Sequence, residues 1–391
     1  MGSPSGWRWS KLSEYVIFLN CAELDDMKEQ VINFLNKKTL KPKTSRENEN
    51  FILKDKLKRP LRDLRISVTD RCNFRCTYCM PKEVFNKNYK FLPQNFLLSF
   101  EEITNITKIF INLGIEKVRL TGGEPLLRKN LETLIQMLSN LDTTNSKKLD
   151  LTMTTNASLL TKKAQALKNA GLSRLTISLD SLSNSIFQKM NDVDYPVSDV
   201  LKGIESAKKV GFKEIKVNMV VKKGVNDSEI IPMAKYFKNS GIILRFIEYM
   251  DVGNSNNWKM NEVIPSKEVI ERINEEMPVS EIGQNYFGET AQRWRYDDNE
   301  GEIGVISSVT EAFCKDCNRL RVSTEGKLFT CLFATGGHDL RTLIRNKCSN
   351  EEIQNFIINV WSNRIDRYSE VRSLKNKTKV KNKIEMSYIG G

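Results

Sequence analysis

One histidine, His338, is all that 391 residues contain, so there is little imidazole available to complete a metal site. Long apolar runs are missing as well. No stretch approaches the ~18 apolar residues of a membrane span, which leads to the expectation of a soluble chain. The apolar run Tyr15 to Leu19 is too short for a signal-peptide core, and Glu23, Asp25 and Asp26 behind it disfavour a transit peptide. A cytoplasmic location is expected, or the mitochondrial matrix if the source is a eukaryote. Aromatic residues do not interleave with the basic runs, so nucleic acid is not an expected partner. The formal charge of +13 comes from 61 Lys and Arg against 48 Asp and Glu, much of it in Lys37 to Lys43, Lys54 to Arg62 and Lys375 to Lys383. Such an excess suits an acidic small molecule or a solvated surface.

What the chain does have is a concentration of cysteine. Three of its eight cysteines, Cys72, Cys76 and Cys79, fall within eight positions in a Cys-x3-Cys-x2-Cys spacing. Thiolates gathered this closely hold zinc or an iron-sulfur cluster. A closed zinc site needs four protein ligands and no fourth is nearby, whereas a 4Fe-4S cluster on three cysteines leaves one iron open to a small molecule. Zinc borrowing a distant cysteine and chance crowding are the alternatives. Either way the thiols must stay reduced, which argues for a reducing compartment. A second trio, Cys314, Cys317 and Cys331, is spaced Cys-x2-Cys-x13-Cys. It reads as a second open cluster, or as a zinc knuckle completed by His338 or Cys348. Within it, Arg319 and Arg321 occupy alternate positions and would point the same way from a strand, a pair that suits a polyphosphate or carboxylate or else forms a solvated strand face.

From Leu64 onward short β-branched runs alternate with helical patterns, the mark of βα units around a parallel sheet. Strands are predicted over 65–69, 117–121, 149–154, 174–179, 214–221 and 242–247. Ser99 and Glu102 form a capping box opening a helix that Gly114 ends. Six units predict an α/β fold of incomplete (β/α)6 TIM type, with its active site where the strands end. After Gly253 the regular alternation stops. The expected organisation is a polar extension over 1–50, a partial barrel over 51–253, an auxiliary-cluster segment over 254–371 and a basic tail over 372–391 ending in Gly-Gly.

Cys-x3-Cys-x2-Cys with the aromatic Tyr78 before the last cysteine resembles the radical S-adenosylmethionine (SAM) superfamily. There the open iron chelates SAM, and one electron cleaves it to methionine and a 5'-deoxyadenosyl radical. The two cysteine trios, Gly122-Gly123-Glu124-Pro125, the Asn318-Arg-Leu-Arg321 run and the terminal Gly-Gly together resemble, from about Pro60 to Gly391, the GTP 3',8-cyclases of molybdenum cofactor biosynthesis. The resemblance implies removal of the 3' hydrogen of GTP and attack of the ribose radical on C8 of guanine. The product, (8S)-3',8-cyclo-7,8-dihydroguanosine 5'-triphosphate, would pass to a cyclic pyranopterin monophosphate synthase.

Carried over residue by residue, the resemblance implies two 4Fe-4S clusters, the SAM cluster on Cys72, Cys76 and Cys79 and a substrate-side cluster on Cys314, Cys317 and Cys331. It implies SAM contacts from Tyr78, Gly123, Ser178 and Met250. It implies GTP contacts from Arg65, Lys117, Arg119, Thr154, Lys216, Arg245, Arg319 and Arg321, with the terminal Gly-Gly reaching into the active site. A triphosphate carries roughly four negative charges and needs fixed cations if it is buried. Cations on strands that should be apolar meet that need. Asn156-Ala157 departs from the family's frequent Asn-Gly and loosens the expected turn. A radical SAM peptide or sulfatase maturase is the competing enzyme, and a basic zinc protein that binds nucleic acid is the competing non-enzyme. The chain is expected to be a monomer or homodimer, with an electron donor that the sequence leaves unassigned.

Overall fold

The computed structural model describes residues 52–375 and 382–391. The expected 1–50 extension and the stretch 376–381 of the basic tail lie outside the described residues. Six strands stand side by side in chain order, all parallel: β1 (Asp63–Ser67), β2 (Lys117–Thr121), β3 (Asp150–Thr155), β4 (Arg174–Ser178), β5 (Ile215–Val221) and β6 (Ile243–Glu248). They are the strands expected from the pattern, shifted by two residues at most, and they form the incomplete (β/α)6 barrel.

Alternation along each strand explains both faces of the sheet. In β1 and β2, Leu64, Ile66, Val118 and Leu120 are fully buried beneath the outer helices, while Asp63, Arg65, Lys117 and Arg119 turn to the inner face. Register keeps the rows aligned, with Arg65 beside Arg119 and Arg119 beside Thr152. The helix Phe100–Asn112 shows how the outer layer is fixed. Ser99 accepts from the Glu102 nitrogen and Glu102 returns the bond, closing the capping box. Ile103, Ile106, Ile109 and Phe110 then recur at helical spacing and are buried. Gly114, at φ +100°, ends the run in the left-handed conformation that glycine takes most readily.

The chain beyond Gly253 is more regular than its sequence suggests. It contributes β7 (Val279–Ile282), β8 (Gln292–Tyr296), β9 (Glu302–Ile306), β10 (Arg319–Val322), β11 (Lys327–Phe329) and β12 (His338–Asp339). These do not form a sheet of their own: β9 pairs parallel with β6 at one edge, and β10 pairs parallel with β1 at the other. Strands of two to five residues are too short to display a period of two in sequence. Their partners are fixed by distant register.

Candidate active site

One cavity of about 330 Å³ runs along the inner face of the sheet. Both cysteine trios line it. Cys72, Cys76 and Cys79 follow β1, beyond the C-terminal ends of the parallel strands. Cys314 and Cys317 precede β10, whose first residue pairs with the first residue of β1, so they lie beyond the N-terminal ends. Cys331 comes two residues after β11, which runs antiparallel to β10 and returns to that same end. Five residues of strand, roughly 15 Å at ~3.3 Å per residue, separate the two mouths.

The sequence reading set the cysteine loop and SAM contacts at strand ends and the GTP contacts on the strands themselves, and the cavity is lined by both sets. The described lining cations are Arg65, Lys117, Arg119, Arg174, Lys216, Arg245, Arg319 and Arg321. Every one occupies the first, second or third position of its strand. Burial and mutual repulsion push six of them down: Lys117 and Lys216 to about 8, Arg65 to about 9, Arg119 and Arg245 to about 10, and Arg321 well below its ordinary value beside Arg65 and Arg319. Burial opposes charge at Arg174 and Arg319 too, but Asp150 and Glu214 raise the first and Cys317 and Asp63 the second. Arg119 donates to Thr154 at 3.2 Å and Thr176 at 3.0 Å, and Arg245 to Asn218 at 2.9 Å. Other polar atoms lack partners among the described residues: the Nε atoms of Arg65 and Arg119 and Oδ1 of Asp63 are buried without a hydrogen bond. Crowded cations and unmet donors fit an anionic, polar ligand. The chain's own tail reaches the same place. Gly391 lines the cavity, and Arg321 donates to the carbonyl of Gly390.

The C-terminal mouth is built differently. Tyr78, Gly123, Ser178 and Met250 all line it. The Tyr78 hydroxyl donates to Asp180 at 2.8 Å, and the other Asp180 oxygen accepts from the Val220 nitrogen at 2.9 Å. The Asn156 side chain donates to Asn73 at 3.0 Å and reaches the Cys72 sulfur at 3.9 Å. A Cβ on Gly123 would collide with the Arg71 carbonyl and sit 3.0 Å from the Cys72 nitrogen. That close approach requires glycine. Ala157 holds φ +61°, so the turn after β3 keeps the left-handed geometry that a glycine would have taken more cheaply.

The thiols here open on the cavity yet lie deep in the protein. Burial raises Cys72 to about 12. It raises Cys79 and Cys76 further, each also repelled by Cys72. Three thiols that resist ionisation and repel one another suit a site whose counter-charge is a metal cluster. At the other mouth burial also opposes ionisation of Cys317, but Arg319 and Arg364 overcome it and hold the thiol at about 6. Burial lifts Cys331 to about 12, with Asp366 adding to it. His338 and Cys348, the alternative zinc ligands, are absent from the described cavity lining.

Several contributors escaped the sequence reading. Glu124 is buried and accepts from the Asn156 nitrogen at 2.7 Å, from Thr155 at 2.7 Å and from the Leu126 nitrogen at 3.1 Å. Its presence in Gly-Gly-Glu-Pro was the available signal. Asp180, next to Ser178-Leu179, had none. Behind the second trio, Asp55 joins two buried arginines: Arg59, whose Nη1 donates to the Cys314 carbonyl at 2.8 Å, and Arg364. Lone charges at such distances in sequence give no sign of meeting.

Comparison with known proteins agrees with this arrangement. Residues 66–237 match the family described as the radical SAM superfamily, and residues 242–370 that described as Molybdenum Cofactor Synthesis C. The fold is shared with Streptococcus suis SuiB bound to S-adenosylmethionine, at a TM-score of 0.54 and 15% identity over 82% of this chain and 69% of that one. A second SuiB structure gives 0.53 at 15% identity over 90% and 80%. Fold, cysteine loop and superfamily match define a radical SAM enzyme, and with that class come a 4Fe-4S cluster and SAM as cofactors. Among its relatives, the GTP 3',8-cyclase of Acidothermus cellulolyticus is 48% identical over 87% of this chain and 99% of its own. The GTP 3',8-cyclases of Staphylococcus epidermidis and Staphylococcus aureus are 47% and 44% identical with the same coverage. The chain belongs to the GTP 3',8-cyclase family.

Proposed function

We propose that the two mouths divide the cyclase reaction between them. Cys72, Cys76 and Cys79 hold the 4Fe-4S cluster, and Tyr78, Gly123, Ser178 and Met250 position SAM beside it. The cluster and SAM supply the 5'-deoxyadenosyl radical chemistry when bound. The strand-borne residues Arg65, Lys117, Arg119, Lys216, Arg245, Arg319 and Arg321, with Thr154, hold GTP. Cys314, Cys317 and Cys331 hold a second 4Fe-4S cluster on the substrate side. The arrangement of lining cations carries the reading: all are confined to the first three positions of their strands, and the SAM-side cysteines stand at the opposite ends. A polyanion bound there presents its nucleoside part between the mouths, within reach of both.

On this reading the chain converts GTP to (8S)-3',8-cyclo-7,8-dihydroguanosine 5'-triphosphate in the first step of molybdenum cofactor biosynthesis. It releases 5'-deoxyadenosine and methionine, and the product passes to a cyclic pyranopterin monophosphate synthase. The same reading divides residues 51–253 as the SAM-side barrel from 254–371 as the segment carrying the second cluster. No described helix is long and apolar enough to cross a membrane.

The test is anaerobic. The reconstituted protein should contain about eight irons, as two cubane clusters require. With SAM, dithionite and GTP it should yield 5'-deoxyadenosine and the cyclised nucleotide together. Arg319→Ala and Arg321→Ala should each lower kcat/KM for GTP by ~10- to 100-fold, from ~1.5–3 kcal/mol per charged hydrogen bond, while SAM binding persists. Full activity in both variants would remove these arginines from the substrate pocket.

A further inference from the structure

Cys317 is approached from two sides. Arg319 faces the cavity and belongs to the substrate reading. Arg364 lies behind the cysteine, away from the cavity, with its side chain 1% exposed. Its Nη2 donates to the Cys317 sulfur at 3.1 Å, and its Nη1 donates to the Cys317 carbonyl at 2.6 Å. The guanidinium stacks over Trp361, 4.6 Å from the ring centre, and that ring is itself fully buried. Asp55 accepts from Arg364 at 3.4 Å and from Arg59 at 2.6 Å. Arg59 in turn donates to the Cys314 carbonyl at 2.8 Å and the Asp366 carbonyl at 2.8 Å. Each of the paired cysteines is thus gripped at its backbone by one buried arginine, but only Arg364 also donates from behind to a sulfur.

That distinction has an electronic consequence. A planar, permanently charged donor fixed on a cluster-ligating thiolate withdraws charge from the sulfur and favours the state carrying one more electron. Hydrogen bonds to the sulfurs and local charge are among the factors that set the potential of an iron-sulfur centre. Because Arg364 is not among the described residues lining the substrate cavity, its influence does not depend on GTP being bound.

We propose that Arg364 is a positioning residue of the second centre: it orients Cys317 through the backbone and raises the reduction potential of the cluster there through its hydrogen bond to the sulfur. This rests on the two-cluster reading above. Iron and sulfide counted in the unmodified protein test that reading first, since about four irons rather than eight would remove the second cluster and with it the object of this proposal. Given eight, the measurement is a redox titration followed by electron paramagnetic resonance, on the full chain and on Arg364→Gln. The expected result is a lower midpoint potential for the second cluster, with that of the SAM cluster unmoved. A Gln variant that keeps both clusters and both wild-type potentials overturns the proposal. If the Gln variant fails to hold the second cluster, Arg364→Lys is titrated instead, because it retains a cation without the planar fork. A lowered second potential in the Lys variant supports the role. An unchanged potential there, or loss of the second cluster from both variants, overturns it and leaves Arg364 a structural anchor.

Discussion

The two mouths of the cavity hold the same number of cysteines in opposite electrostatic settings. At the C-terminal mouth burial drives all three thiols upward; Glu124 and Asp180 add to the shift at Cys72 and Cys76, and Arg75, which is not among the described lining residues, opposes it at Cys72. At the N-terminal mouth eight lining cations crowd together, and Arg319 with Arg364 pulls Cys317 down to about 6. Cysteine spacing is therefore the lesser part of each site. The difference matches the ligands proposed: a sulfonium cation at the carboxylate end and a triphosphate at the guanidinium end. A polarised cavity also orients its two ligands, since exchanging them would place like charges together.

The strongest way to break this comparison is Gly123→Ala, which drives a methyl group into the Arg71 carbonyl beside Cys72. SAM cleavage should be lost, by more than ~100-fold in 5'-deoxyadenosine formed, while iron at the second trio is retained. Loss of both clusters together would show that the mouths are not independent.

Raising the pH should separate them next. Lys117 and Lys216 are held at about 8 by burial, with Asp63 opposing the shift at Lys117 and Arg245 adding to it at Lys216. Both are charged below that value and lose their protons above it. GTP affinity measured by calorimetry should therefore weaken between pH 7 and 9, approaching ~10-fold per lysine per unit once above pH 8. SAM affinity should change far less, and equal pH slopes for the two ligands would erase the distinction.

Stability should carry the imprint of the carboxylate end. Burial raises Glu124 to about 7 despite three donors, the Asn156 nitrogen, Thr155 and the Leu126 nitrogen. The folded protein thus binds a proton there that the unfolded chain, with its lower carboxyl pKa, has released. This contribution is full below about pH 4.5 and is lost as the pH rises towards 7. Denaturant unfolding of the Glu124→Gln variant should show a flatter decline over that window. The smallest effect is expected from Tyr78→Phe, which deletes the hydrogen bond to Asp180; SAM binding should weaken a few-fold, for ~1 kcal/mol.

The cysteine trios, the six barrel strands and the cations at Arg65, Arg119 and Arg321 were legible because each is local. The cysteines are close in sequence, Arg65 and Arg119 interrupt five-residue runs that otherwise alternate, and Arg321 stands two positions from Arg319. What stayed hidden depends on register between distant segments. Arg59, Asp55 and Arg364 meet across some 300 residues, and nothing in their neighbourhoods announces it. Asp180 was passed over because an acid after a strand is ordinarily a solvated turn residue. Apart from the alternate arginines of β10, the short strands β7 to β12 left no sign, for the related reason that a two- to five-residue strand is defined by its partner.

The pairing of β1 with β10 has a temporal side. Asp63 and Arg319 are about 250 residues apart in the chain. Closing so long a loop is entropically costly and slow compared with forming the βα units between them. As the polypeptide emerges during synthesis, the cysteine loop behind β1 and its neighbours on β2 to β4 can dock while the arginines of β10 are still unmade. The strands that carry the first trio can thus pair before the residues of β10 exist, so the connectivity of the sheet lets one mouth of the cavity take shape ahead of the other.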